Sequence, residues 1–257
     1  MNRSEGAPLV SIIIATIGVT EDLLKTLRSL DRDWGQHKLQ ICIQDGGTEL
    51  GEIFSYQPQT SSSVISYRRD SDDGIYDALN RGFERSEGRF IGVLGAGDFI
   101  CNHALLAQLL DYMHEHDHLK ILAAGVGFYG GRPRGCWLPP SDMLCSWRRG
   151  ILPPHTSTFV HREVVKTIGA YDLKYNLASD TDFLIKALRV CSECEPNVGS
   201  AYMDQLTYMK RGGLSDALCF KSQYRKLKED WMIFSDHRLG VKAFLRKRLS
   251  KLGQFLG

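Results

Sequence analysis

The first half of the chain switches repeatedly between two hydrophobic periods, and this constrains its fold more than any other feature. "PLVSIIIAT" (8–16) is a continuous β-branched run, the kind buried on both faces of a parallel sheet. Thr20 then stands where a helix cap belongs, and Leu23, Leu24, Leu27 and Leu30 recur at helical spacing. "LQICIQDGG" (39–47) reads as a second strand and "VISYRR" (64–69) as a shorter third. "GIYDALNRGFERSEG" (74–88) places Ile75, Leu79 and Phe83 on one helical stripe. A fourth strand follows at 89–94, an amphipathic helix at 103–116 and a fifth strand at 120–128. This alternation predicts an α/β fold: a mostly parallel, Rossmann-like sheet with helices on both faces. Such sheets bind ligands beyond the carboxyl ends of their strands. Ala15 and Thr16 end the first strand, Asp45 the second and, after Gly95, Ala96 and Gly97, Asp98 the fourth.

Regularity fails from 129 to 155, which is rich in Gly, Pro and Arg and holds two tryptophans. A stretch this long is expected to be functional or mobile. "TSTFVHREVV" returns to a strand running into a helix, and "SDTDFLIKALRVC" (179–191) opens a helix with two acids in its first turn.

Charge separates the chain into two parts. The net formal charge is +2, yet residues 221–257 hold ten Lys or Arg against three acids. An acidic body with a basic tail is not the profile of a nucleic-acid-binding domain. The expected organisation is a domain over 1–220 and a basic, amphipathic helical extension over 221–257. In "GVKAFLRKRLSKLGQFLG" (240–257), Val241, Phe244, Leu245, Leu249, Leu252, Phe255 and Leu256 share a stripe. Lys242, Arg246, Lys247, Arg248 and Lys251 occupy much of the rest. Two readings stay open: a helix lying on an anionic membrane surface, or one docking its apolar stripe on the domain or on a second subunit with its cations in solvent. No apolar run reaches the length of a membrane span, and "MNRSEGAPLV" has no signal-peptide core. The expected location is the cytoplasm, peripherally at the inner face of the cell membrane if the helix binds lipid. The seven cysteines are expected to be reduced, and "CSEC" (191–194) to end a helix.

"DDGIYDALNRG" (72–82) followed by "GRFIGVLGAGD" (88–98) resembles the family 2 glycosyltransferases. "PHTSTFVHR", "YDLKYNLASDTDF" and "RGGLSD" fall in the same order as in that family, and the set most resembles colanic-acid and related bacterial surface-polysaccharide transferases. The resemblance spans about 8–216. It implies a GT-A fold, a nucleotide-sugar donor such as a UDP-sugar, and inverting transfer to a glycan or lipid-diphosphate-linked hydroxyl.

A departing diphosphate needs its charge neutralised, usually by a divalent metal on a carboxylate. Asp98 is the candidate ligand for Mg²⁺ or Mn²⁺. It stands alone where relatives carry further acids, so weak metal affinity without nucleotide is expected. The alternative is a turn residue. By resemblance, Asp45 contacts the base, the Ala15–Thr16 loop lines the base pocket, and Asp72 lies near the ribose. Asp73 and Asp77 read instead as first-turn helix charges. Gly97 lets phosphate approach. Asp180 takes the general-base position, with a helix-dipole partner as the plainer reading. His155 is left between diphosphate, metal, acceptor and an ordinary loop role. Arg211, in "KRGGLSD" (210–216), would close over a diphosphate or belong to a plain turn. A sugar-phosphate nucleotidyltransferase and a non-catalytic nucleotide-sugar-binding protein are the rival functions. Oligomerisation stays open.

Overall fold

The computed structural model of the protein describes residues 6–47, 54–130, 135–193, 198–211 and 220–256. One sheet organises it. Strands β1 (Val10–Thr16), β2 (Leu39–Asp45), β3 (Ser63–Arg69) and β4 (Phe90–Gly95) pair in parallel in the order β3-β2-β1-β4. All seven residues of β2 are buried, as expected of a strand covered on both faces.

Beyond β4 the sheet becomes mixed. β6 (Ile121–Tyr129) does not pair with β4 directly; β8 (Thr158–His161) lies antiparallel between them. β9 (Gly199–Lys210) runs parallel to β6, with register breaks near Gly125, and the two-residue β5 (Phe99–Ile100) and β7 (Cys136–Trp137) pair with β9 and β6. β1, β2, β4, β6 and β9 all end on the same edge of the sheet.

Helices α1 (Glu21–Leu30) and α3 (His103–Glu115) cover one face, where Leu23, Leu27, Leu106 and Leu110 meet Ile12, Ile14 and Phe90. The Thr20 hydroxyl accepts from the Leu23 amide and caps α1, as its position in the sequence indicates. Helices α2 (Ile75–Arg85), α5 (Arg162–Ile168) and α6 (Ser179–Glu193) cover the other face, through Leu79, Phe83, Val164 and Phe183. The irregular 129–155 stretch contains β7, the short α4 (Met143–Ser146) and a 3₁₀ turn at Trp147–Arg149.

The chain ends in α7 (Phe220–Asp236) and α8 (Gly240–Leu256). The basic helix docks on the domain, but not in the orientation expected. Ala243 and Lys247 are its buried positions, Phe244 packs against the core, and Val241, Leu245 and Leu249 of the apolar stripe face outward. Lys247 corrects the expectation of solvated cations. Its ammonium is buried, bonded to Asp230 of α7 and 2.6 Å from the Thr181 hydroxyl. Close approach explains the seating: a Cβ on Gly150 would fall 2.1 Å from the Ala243 carbonyl oxygen. Among the described residues no helix is long and apolar enough to cross a membrane.

Candidate active site

The shared strand edge gathers most of the expected site residues. Asp45 is completely buried there. One of its oxygens accepts from the amides of Gly18 (2.6 Å) and Gly47 (2.8 Å), the other from Tyr67 Oη (2.5 Å) and Arg69 Nε (2.8 Å). Burial pushes its pKa up, but Tyr67, the two amides and Arg69 outweigh burial and hold it below the usual carboxylate range. Both oxygens are engaged by protein donors, so contact with a base would require one of them to exchange. Thr16 donates to the Gly18 carbonyl (3.0 Å), Ala15 pairs with Gly95 across the sheet, and Asp72 lies against Gly46, where a Cβ would come within 2.2 Å of its Oδ2. Ala15, Thr16, Asp45 and Asp72 thus line one corner.

Asp98 lies beyond the end of β4, 6 % exposed. Its carboxylate accepts from the Lys210 amide at 2.9 Å and the Gly95 amide at 3.2 Å. Burial outweighs these two bonds and raises its pKa to about 6. Gly97 makes the loop possible: its φ of +105° lies in the left-handed region that side chains disfavour. Thr26, buried on α1, clamps the loop by donating to the Asp98 carbonyl (2.6 Å) and accepting from the Gly97 amide (2.9 Å). Nothing in its local sequence context marked Thr26 for this role.

Among the described residues there is no group of three or more His, Cys, Asp or Glu able to hold a metal ion. The Asp98 loop still fits a hard cation that takes most of its oxygens from elsewhere. It offers one buried carboxylate that accepts from two amides among the described residues, beside glycines with no side chain to block approach. The Arg211 guanidinium lies 5.1 Å over the Phe128 ring, one residue beyond Lys210 on this edge; 212–216 of the "KRGGLSD" segment falls outside the described residues. Lys25 adds a cation that sequence reasoning missed, between the rings of Phe99 (4.2 Å) and Tyr129 (4.0 Å).

Asp180 opens α6. Its Oδ1 accepts from the Thr181 amide at 2.8 Å and from Tyr76 Oη at 3.2 Å. His155 Nε2 lies 2.5 Å from Tyr171 Oη, and Tyr171 packs on Tyr76 at 5.3 Å between ring centres. Burial lowers the His155 pKa against the opposing pull of Asp180, and burial with Asp180 raises both tyrosines well above their usual range. His155 therefore belongs to the Asp180 end of the site. The motif around α2 also becomes legible here. Tyr76 reaches Asp180, while Asn80 clamps the backbone of Tyr171 in both directions (2.8 and 2.9 Å). Asp77 pairs with Arg81 at 2.9 Å and accepts from the Asp73 amide, as befits the first turn of α2.

Asp182, two residues on, has a different role. Burial raises its pKa, but His237 (2.7 Å) and Lys186 (2.7 Å) outweigh burial and hold it low, and His237, just past α7, ties that helix's end to α6.

Two clefts lie near these residues and have Cys136 in common. A cleft of about 540 Å³ runs past Tyr129, Tyr208 and Cys136, and Tyr129 donates to the Gly97 carbonyl beside Asp98. A second, of about 340 Å³, starts at Cys136 and is lined by Trp137, Asp180, Lys247 and Ser250.

The glycosyl transferase family 2 model matches residues 11–156, more than half of the chain and all of the Asp45–Asp98 edge. The protein belongs to glycosyl transferase family 2. A PGL/p-HBAD biosynthesis glycosyltransferase of Mycobacterium bovis is 29 % identical over 228 residues, covering 86 % of this chain and 84 % of the relative. An uncharacterised glycosyltransferase of Mycobacterium tuberculosis is 24 % identical over 189 residues, 72 % of this chain and 71 % of the relative. Among solved structures, Staphylococcus aureus TarS 1–349 in complex with UDP-GlcNAc superposes with a TM-score of 0.61 at 16 % identity over 87 % of this chain. The transferase spans 65 % of that TarS chain. The mannosyltransferase PcManGT of Pyrobaculum calidifontis, in complex with GDP-Man and Mn²⁺, superposes with a TM-score of 0.55 at 12 % identity, covering 95 % of this chain and 69 % of its own. These likenesses show the GT-A fold.

Proposed function

We propose that this family 2 transferase is an inverting, metal-dependent hexosyltransferase. It takes a sugar from a nucleotide-diphosphate donor, first of all a UDP-sugar, and passes it to a hydroxyl of a glycan or lipid-diphosphate-linked acceptor in the synthesis of a bacterial surface polysaccharide or glycolipid. The observation that carries this reading is a pair of carboxylates with contrasting settings, one on the loop after β4 and one lining a cleft. Asp98 is buried on a glycine loop where its described partners are two amides, while Asp180 lines a cleft and accepts from Tyr76 and Thr181.

In this reading the Ala15–Thr16 loop, Asp45 and Asp72 shape the nucleoside corner. Asp98 would hold Mg²⁺ or Mn²⁺, which would supply positive charge for the leaving diphosphate. Lys210 and Arg211 stand beside the phosphates. Asp180 accepts the proton of the acceptor hydroxyl as that oxygen attacks the anomeric carbon, and Tyr76 fixes its orientation. His155 and Tyr171 back this end of the site. UDP-GlcNAc and GDP-Man with Mn²⁺ in structural relatives, and the glycolipid-pathway name of the mycobacterial relative, support the donor, metal and acceptor classes.

The test is a panel of nucleotide sugars scored for slow donor hydrolysis, with Mn²⁺ and with EDTA. Metal-dependent hydrolysis of one donor is the expected result. Binding without turnover of any donor would leave a non-catalytic nucleotide-sugar-binding protein.

A further inference from the structure

The outer face of α7 and α8 is built unlike an ordinary solvated surface. Tyr224, Leu227 and Trp231 follow one face of α7, and Val241, Leu245 and Leu249 one face of α8; all six are between 38 and 69 % exposed. Beside these rows the two helices touch, where Trp231 packs edge-on against Phe244 at 5.2 Å. Apolar groups gathered in this way mark a contact surface rather than scattered exposure.

Each described acid on these helices has a partner, although the Asp236 side chain is itself about half exposed. Glu229 accepts from the amides of Asn176 (3.2 Å) and Leu177 (2.7 Å), Asp230 binds Lys247 and Arg248, and Asp236 accepts from Tyr175 Oη (2.7 Å) and pairs with Lys174 (3.3 Å). Arg225, Lys228, Arg238, Lys242 and Arg246 are exposed. The outward field is therefore cationic, around aromatic and aliphatic anchors. A second copy of the same face would meet like charge. An anionic lipid surface matches both the charge and the apolar depth of an interfacial helix pair.

We infer that the α7–α8 face seats the enzyme on an anionic membrane surface, with the Asp180 cleft opening beside the lipid. The link to the cleft is direct, because Lys247 and Ser250 of α8 line it together with Asp180. One side of the helix faces acceptor space and the other faces lipid. An acceptor held in the membrane by its own lipid then needs to rise only past α8 to reach Asp180. The acceptor part of this inference rests on the transferase reading above; the lipid contact does not.

The experiment uses the full chain and vesicles of phosphatidylcholine with about one third phosphatidylglycerol, in flotation at low and high salt. Donor hydrolysis is measured on the same preparations. The wild type is expected to float with anionic vesicles, to float poorly with pure phosphatidylcholine, and to be released by salt. Leu245→Glu/Leu249→Glu alters only exposed positions and should lower partitioning at least about tenfold. Lys242→Gln should lower it about fivefold. Both variants should keep wild-type melting and donor hydrolysis. The inference is overturned if the wild type ignores anionic vesicles, or if the double variant floats equally well. A dimer in solution that Leu245→Glu/Leu249→Glu dissociates would also overturn it, since the face would then be covered by a second copy. Vesicle binding without hydrolysis of any donor would sink the transferase reading and leave the lipid contact standing.

Discussion

Asp98→Asn probes the cost of holding a carboxylate where this one sits. In the folded protein the Asp98 pKa is raised from 3.8 to about 6, chiefly by burial. Below the lower value the group is neutral in both the folded and unfolded states, so the fold bears no penalty. As pH rises through the upper value the folded carboxyl must ionise in a site that disfavours charge. Stability present at low pH is therefore lost across this window, and a shift of about two pKa units corresponds to about 3 kcal/mol. Asparagine carries no such titration. Its amide would face the Gly95 amide, where Oδ2 now accepts at 3.2 Å, but that clash does not vary with pH. In urea unfolding, the stability of Asp98→Asn minus that of the wild type should rise by about 3 kcal/mol between about pH 4 and about pH 7. Mn²⁺ with a nucleoside diphosphate should remove most of this dependence from the wild type. Parallel stability curves for the two proteins would refute the reasoning.

Three further outcomes follow from the buried contacts. Lys247→Met leaves Asp230 buried with only the longer 3.5 Å Arg248 contact and should cost about 3–5 kcal/mol in thermal unfolding, most of it recovered in Lys247→Met/Asp230→Leu. Tyr76→Phe removes the hydroxyl at Asp180 and should lower kcat about tenfold with little change in donor KM, while stability falls by no more than about 1.5 kcal/mol. Asp45 has a lowered pKa, so its contribution is present above the ordinary value of 3.8 and is lost as pH falls below it. Asp45→Asn should weaken nucleotide binding, measured by calorimetry, and narrow the loss of stability on acidification.

The sequence is most legible where one period dominates. The β1 run and the Leu23–Leu27–Leu30 stripe state their burial directly, and the acids after β2 and β4 fall where a parallel sheet places ligands. The direction of β8 was not legible, because a four-residue apolar strand has the same pattern either way round; its insertion between β4 and β6 depends on long-range pairing. Asp180 and Asp182 look alike as first-turn acids. They separate only when α7 brings His237 to Asp182, 55 residues away in sequence. Lys247 reads as one more solvated cation until Asp230, a turn and a helix earlier, supplies a buried partner. Tyr76 and Asn80 sit in the most specific motif, yet their roles depend on Tyr171 and Asp180, which approach from α6 and the loop before it.

In the proposed mechanism the Asp98 loop holds the donor and Asp180 takes the acceptor proton. Asp180→Asn and Asp182→Asn, compared for donor binding by calorimetry and for transfer to a lipid-linked or glycan acceptor, test it most directly. Asp180→Asn should bind donor and Mn²⁺ like the wild type and lose transfer by at least about 10²-fold, the scale of general-base loss. Asp182→Asn should keep transfer while losing stability through its severed His237 and Lys186 contacts. Normal transfer by Asp180→Asn, with Asp182→Asn folded but inactive, would contradict the account.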